Sequence, residues 1–122
     1  MSYSIINGDN EIVTLKYSGA VNYEERLQAL EEICQLIASK GPILLVVDLC
    51  DMRLNMTMEE QVAFGKYLAN KKELANSKVA MLNDKQLNPN SIVETYAYLG
   101  GYQAVSFDRQ SEARLWLLGE IR

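Results

Sequence analysis

Apolar and polar positions change rhythm several times along the chain, and each change marks an element. Tyr3 to Ile6 and Glu11 to Tyr17 are two short stretches separated by Asn7-Gly8-Asp9-Asn10. Asn-Gly tolerates the positive φ that hairpin turns demand, so the chain is predicted to open with a β-hairpin. In its second strand Val13, Leu15 and Tyr17 face one way and Thr14 and Lys16 the other. The period then lengthens. Leu27, Leu30, Ile33, Cys34 and Ile37 recur at helical spacing, Asn22 with Glu25 forms a capping box before them, and Gly41-Pro42 follows. This predicts a helix from about residue 23 to 39.

Ile43 to Val47 is an unbroken apolar run, as expected of a strand covered on both faces. Thr57 with Glu60 repeats the capping box and predicts a helix from about 58 to 74. Lys78 to Leu82 reads as another strand. Ser91 with Glu94 opens a third helix toward Leu99, closed by Gly100-Gly101. Gln103 to Phe107 is the last expected strand, and Asp108 the expected cap of a final helix through Leu115, Trp116, Leu117 and Leu118. The order β-β-α-β-α-β-α-β-α predicts a single α/β domain over residues 1–122. Its sheet is five-stranded, mixed and mostly parallel, with about four helices packed against it.

Composition narrows the function. At 122 residues, 48% apolar and 23% charged, the chain suits one globular core with no structural metal or disulfide. Sixteen acids against twelve bases give a formal charge of −4, which offers no positive field to phosphate backbones and argues against nucleic-acid binding. No stretch is long and apolar enough to span a membrane, and the N-terminus lacks the pattern of a secretory signal, so the expected location is cytoplasmic.

Histidine is absent, which removes serine–histidine and cysteine–histidine nucleophiles and the commonest general base. Glycine-rich phosphate loops, G-x-S-x-G and HExxH are missing too. No catalytic residue, metal or cofactor is expected, and carboxylate or lysine chemistry would have to draw on Asp48, Asp51 or Lys85. Cys34 and Cys50 form no Cys-x-x-Cys pair and read as reduced thiols, Cys34 on the buried stripe of its helix.

The second helix carries three apolar stripes: Met58, Val62 and Ala69; Phe64 and Leu68; Ala63, Tyr67 and Leu74. One packs on the sheet, and another meets neighbouring helices or a partner. Seven tyrosines against two phenylalanines suit half-wet surfaces and interfaces. In the third helix Ile92, Tyr96 and Leu99 are expected to face inward, leaving Tyr98 and Tyr102 elsewhere. Phe64, Tyr67, Tyr98 and Tyr102 are therefore the candidate interaction surface or pocket.

The element order, with V-D-L-C-D-M-R-L over residues 47–54, resembles the STAS superfamily, whose founding members are bacterial anti-sigma-factor antagonists. S-F-D-R-Q-S-E-A-R-L-W-L-L over residues 106–118 is similar to the closing strand and helix of its SpoIIAA-like branch. The resemblance implies a non-enzymatic regulatory or protein-interaction module acting through a protein partner or by self-association, a homodimer included. Because that branch is grouped with lipid-binding proteins of the Sec14 type, the alternative it implies is a carrier or sensor of a small apolar ligand.

In switchable antagonists a pattern D-L-S-x-V-x-x-x-D-S-S-G places a phosphorylatable serine at a helix start. Here Asp48 and Leu49 match its opening, Cys50 replaces the serine and Met52 the valine. Met56 falls on the second acid, Thr57 on the first paired serine, Met58 on the acceptor serine and Glu59 on the glycine. The resemblance then implies loss of the switch at the usual position. Thr57 stands as candidate phospho-acceptor or helix cap, and Asp48, Cys50 and Asp51 are expected in the loop after the third strand, the edge where open α/β sheets bind ligands.

Overall fold

A computed structural model of the chain describes residues 2–8, 11–84, 90–102 and 104–120. Its elements are β1 (Tyr3–Asn7), β2 (Ile12–Asn22), α1 (Tyr23–Lys40), β3 (Leu44–Asn55), α2 (Met58–Ala69), a 3-10 turn (Lys72–Leu74), β4 (Lys78–Leu82), α3 (Ser91–Leu99), β5 (Val105–Phe107) and α4 (Gln110–Leu117). The five strands lie in sequence order, β1 antiparallel to β2 and every other neighbour parallel. The α/β order and the mixed sheet are those expected. Asp9 and Asn10 of the hairpin turn lie outside the described residues; the positive φ found beside them belongs to Glu11 (62°).

Strand alternation divides the core in two. Val13, Leu15, Leu45, Val47, Val79 and Met81 meet α1, α2 and α3 on one face. Ile12, Val46, Ala80 and Leu82 meet Ala113 and Leu117 of α4 on the other. Two contacts pin the start of the chain to α1: Tyr3 of β1 donates to Glu32, and Ser2 just before it to Glu25.

The largest correction concerns β3, which runs to Asn55 and has β2 beside it as far as Asn22. Asp48, Cys50 and Asp51 therefore lie within a strand and not in a loop. The cause is a β-bulge. Lys16 pairs with Asp48 but Ser18 pairs with Asp51, so β3 carries one extra residue. Leu49 and Met52 both reach the core, three residues apart, and the two-residue alternation that would announce a strand is broken there.

Both early capping boxes are present. Asn22 and Thr57 each accept from the amide three residues on, and Glu25 and Glu60 accept from the cap amides. The later caps differ from expectation. Ser91 is the first helical residue of α3, with Asn90 in the cap position; the Asn90 side chain is turned inward to Arg26 and makes no capping bond. Arg109, not Asp108, precedes α4. α2 stops at Ala69, where Asn70 donates to the carbonyl of Lys66, and does not run on to Leu74.

Helix α3 turns Val93 and Ala97 inward, while Leu99, expected on that face, is exposed. The reason is close packing on α2. A Cβ on Gly65 would stand 2.5 Å from the Val93 carbonyl oxygen and 3.1 Å from the Ala97 nitrogen, so these helices meet through their smallest residues.

Candidate functional site

The residues singled out in the sequence scatter over several environments. Asp48 accepts from the Cys50 amide (3.0 Å), which fastens the bulge, and Asp51 pairs with Lys16 (3.3 Å). Burial, then the Asp48 carboxylate, push the Cys50 thiol up to about 11, so it stays protonated and poorly nucleophilic at neutral pH. Thr57 caps α2, and exposed Met58 begins it. Phe64 is buried core rather than interaction surface, edge-on to Tyr23 at 6.5 Å. Tyr67 is borderline exposed under the ammonium of Lys71 (4.6 Å). Lys85 lies outside the described residues. Tyr98 and Tyr102 are brought together along one small cavity.

That cavity adjoins a buried polar chain absent from the sequence-based candidates. Arg26, 2% exposed, stacks over Phe64 (4.6 Å) and Tyr17 (5.0 Å) and donates to the Asn90 side-chain oxygen at 2.6 Å. Asn90, fully buried, donates onward to Glu94 (3.1 Å), and Ser106 on β5 donates to the other Glu94 oxygen (3.2 Å). The Asn90 amide thus bridges, by hydrogen bonds, a buried guanidinium and a carboxylate at the α3–β5 edge. Burial pushes the Tyr17 and Tyr102 phenols up, and the Arg26 guanidinium offsets part of each shift. Arg26 Nε and both polar atoms of the Asn83 side chain have no hydrogen-bond partner among the described residues. A signal for Arg26 did exist: Arg26, Leu30, Ile33 and Ile37 follow the buried period of α1.

Outside this chain lies the β5 edge of the sheet. Leu68, Asn90, Glu94, Tyr98, Tyr102 and others enclose about 40 Å³, and a shallow groove continues outward past Glu94, Tyr98, Leu99 and Ala104. Tyr98 is 70%, Leu99 72% and Val105 41% exposed. Among the described residues no strand pairs with the outer side of β5. Among the described residues, an apolar, tyrosine-bearing surface therefore flanks strand backbone with no paired neighbour on its outer side.

Among the described residues no cluster of three or more Cys, Asp or Glu is placed to hold a metal, and no helix is long and apolar enough to cross a membrane. No family model matches the chain, and no curated protein does. Among solved structures it is similar to an uncharacterised protein of the DUF3478 family with a SpoIIAA-like fold from Shewanella loihica PV-4. The TM-score is 0.60 at 15% identity, over 94% of this chain and 91% of that one. At that identity the likeness carries the architecture alone: the domain has the SpoIIAA-like fold that the sequence resemblance implied.

Proposed function

We propose that this domain is a non-catalytic interaction module whose protein partner docks on the α3–β5 edge. The observation that carries the reading is the exposure of Tyr98 and Leu99 beside the edge strand β5. A partner segment laid along β5 would gain main-chain hydrogen bonds, and Tyr98, Leu99 and Val105 would supply the apolar contact. Met58 at the position of the acceptor serine favours docking that is constitutive rather than switched there. The alternative, a carrier or sensor of a small apolar ligand, finds no room at this edge. The cavity beneath Tyr98 measures about 40 Å³, room for a water molecule or two, whereas ligand pockets run to about 300 Å³ and more.

A photo-crosslinking amino acid at position 98, expressed in the native host, tests the docking. The expected result is a discrete crosslinked protein, either a second copy or another chain, that is lost when Leu99→Glu is added. A control crosslinker at Tyr67 on α2 should not trap it. No adduct at position 98, or the same adducts from both positions, would overturn the proposal.

A further inference from the structure

On the side of the sheet where β4 begins, a separate cleft of about 440 Å³ opens between the end of α2, the 3-10 turn and α4. Lys71, Lys72 and Lys78 line it, with Leu74, Tyr102 and Trp116 among its apolar walls, and no acid lines it. In a chain of charge −4 that is a local inversion of sign.

The charges are only partly answered. Lys71 reaches Glu31 at 3.6 Å. The Lys78 ammonium is met by neutral groups, the Trp116 carbonyl oxygen at 2.8 Å and the Trp116 ring at 4.5 Å. Among the described residues neither Lys78 nor Lys72 has a carboxylate within ion-pair distance. Compensation of the α2 macrodipole accounts for a cation at the helix end, but Lys72 lies on the following turn and Lys78 on β4, beyond its reach.

We propose that this cleft binds a small organic anion, a phosphate or carboxylate carried on an apolar body. The lysines attract the head group, and Leu74 and Tyr102 receive the body. Volumes of this size suit small ligands. The cleft borders the α3–β5 docking edge and shares Val105 with it, but Lys71, Lys72, Lys78 and Trp116 lie outside that edge, so its test does not depend on that reading.

Trp116 is the only tryptophan and reports the cleft directly. Titrating the full chain with hexyl phosphate should change its emission saturably, whereas hexanol and inorganic phosphate should each bind about tenfold more weakly or worse. Lys72→Glu should weaken hexyl phosphate about fivefold or more, and Lys72→Arg should restore it. Lys72 is exposed, so both variants should fold, which circular dichroism checks. Flotation with phosphatidylglycerol vesicles separates the two sources of such a head group. Saturable hexyl phosphate binding without flotation assigns a soluble ester, and flotation that Lys72→Glu abolishes assigns a lipid. Equal affinity for hexanol and hexyl phosphate, an unchanged titration in Lys72→Glu, or no saturable response would overturn the proposal.

Discussion

Arg26 occupies a position on α1 where the pattern Leu30, Ile33, Ile37 calls for a hydrophobe, and it brings a permanent charge into the core. Two aromatic faces and the Asn90 oxygen are its compensation, so Asn90 is the residue whose loss should hurt most. Asn90→Leu is expected to destabilise by about 2–4 kcal/mol, because it leaves a buried guanidinium proton unmatched. In an Arg26→Met background the same substitution should cost about 1–2 kcal/mol less, because the contact with Glu94 is still lost but no buried charge remains to be answered. Urea unfolding of the four proteins in this cycle measures the difference, and equal costs in both backgrounds would show that Asn90 does not answer the guanidinium. The spacing that places Arg26 on the buried stripe was visible in the chain. Its partner was not, because Asn90 before Ser91 resembles an ordinary helix start and nothing local announces a contact 64 positions away.

Elements were legible in the sequence, but of their local cap signals only the first two held, while Ser91 with Glu94 and Asp108 did not cap. The boxes Asn22/Glu25 and Thr57/Glu60 sit within four residues of sequence, and both formed. Signals that depend on a neighbour were hidden. The bulge opposite Lys16 and Ser18 breaks the alternation of β3, so half a strand read as a crossing between elements. The inward face of α3 was assigned to its larger residues, whereas contact with α2 selects Val93 and Ala97 over Leu99. That contact is testable at Gly65, where an added Cβ would meet the Val93 carbonyl oxygen at 2.5 Å and the Tyr96 Cβ at 2.9 Å. Backbone lies on one side and a helix-bound carbon on the other, so neither yields easily. Gly65→Ala should therefore destabilise by about 1–3 kcal/mol despite its gain in helix propensity. It should also disturb the α3–β5 edge, read as shifted amide resonances at Tyr98 and Leu99. A variant as stable as the parent would mean that the two helices can part without loss.

Across the whole molecule the resolved shifts of thiols, phenols and one lysine share a sign, which makes stability one-sided in pH. Burial raises Tyr3 to about 12 from 10.0 and also raises Tyr17 and Tyr102. It raises Cys34 from 9.0 as well; Cys50, raised to about 11, is exposed, and its contribution is correspondingly screened. Lys71 is raised from 10.5, chiefly by its hydrogen bond with Tyr67. Each of these groups holds its proton more tightly folded than unfolded, so above the unfolded pKa the native state carries more protons and further alkali favours unfolding. Stability is complete below about pH 8, where the unfolded thiols begin to ionise, and falls progressively as pH climbs through the tyrosine range. Glu25, lowered chiefly by the Ser2 hydroxyl, gives the opposite dependence at low pH, but it lies at the surface and its contribution is correspondingly screened. Denaturant midpoints measured from pH 7 to 11.5 should be level at first and then decline, steepest beyond pH 10. Tyr102→Phe should blunt the decline, because its ring stays packed with no proton to lose. A midpoint unchanged between pH 9 and 11 would show that these phenols reach solvent in the native state, and with that the buried chain from Tyr17 through Arg26 to the α3–β5 edge would lose its physical basis.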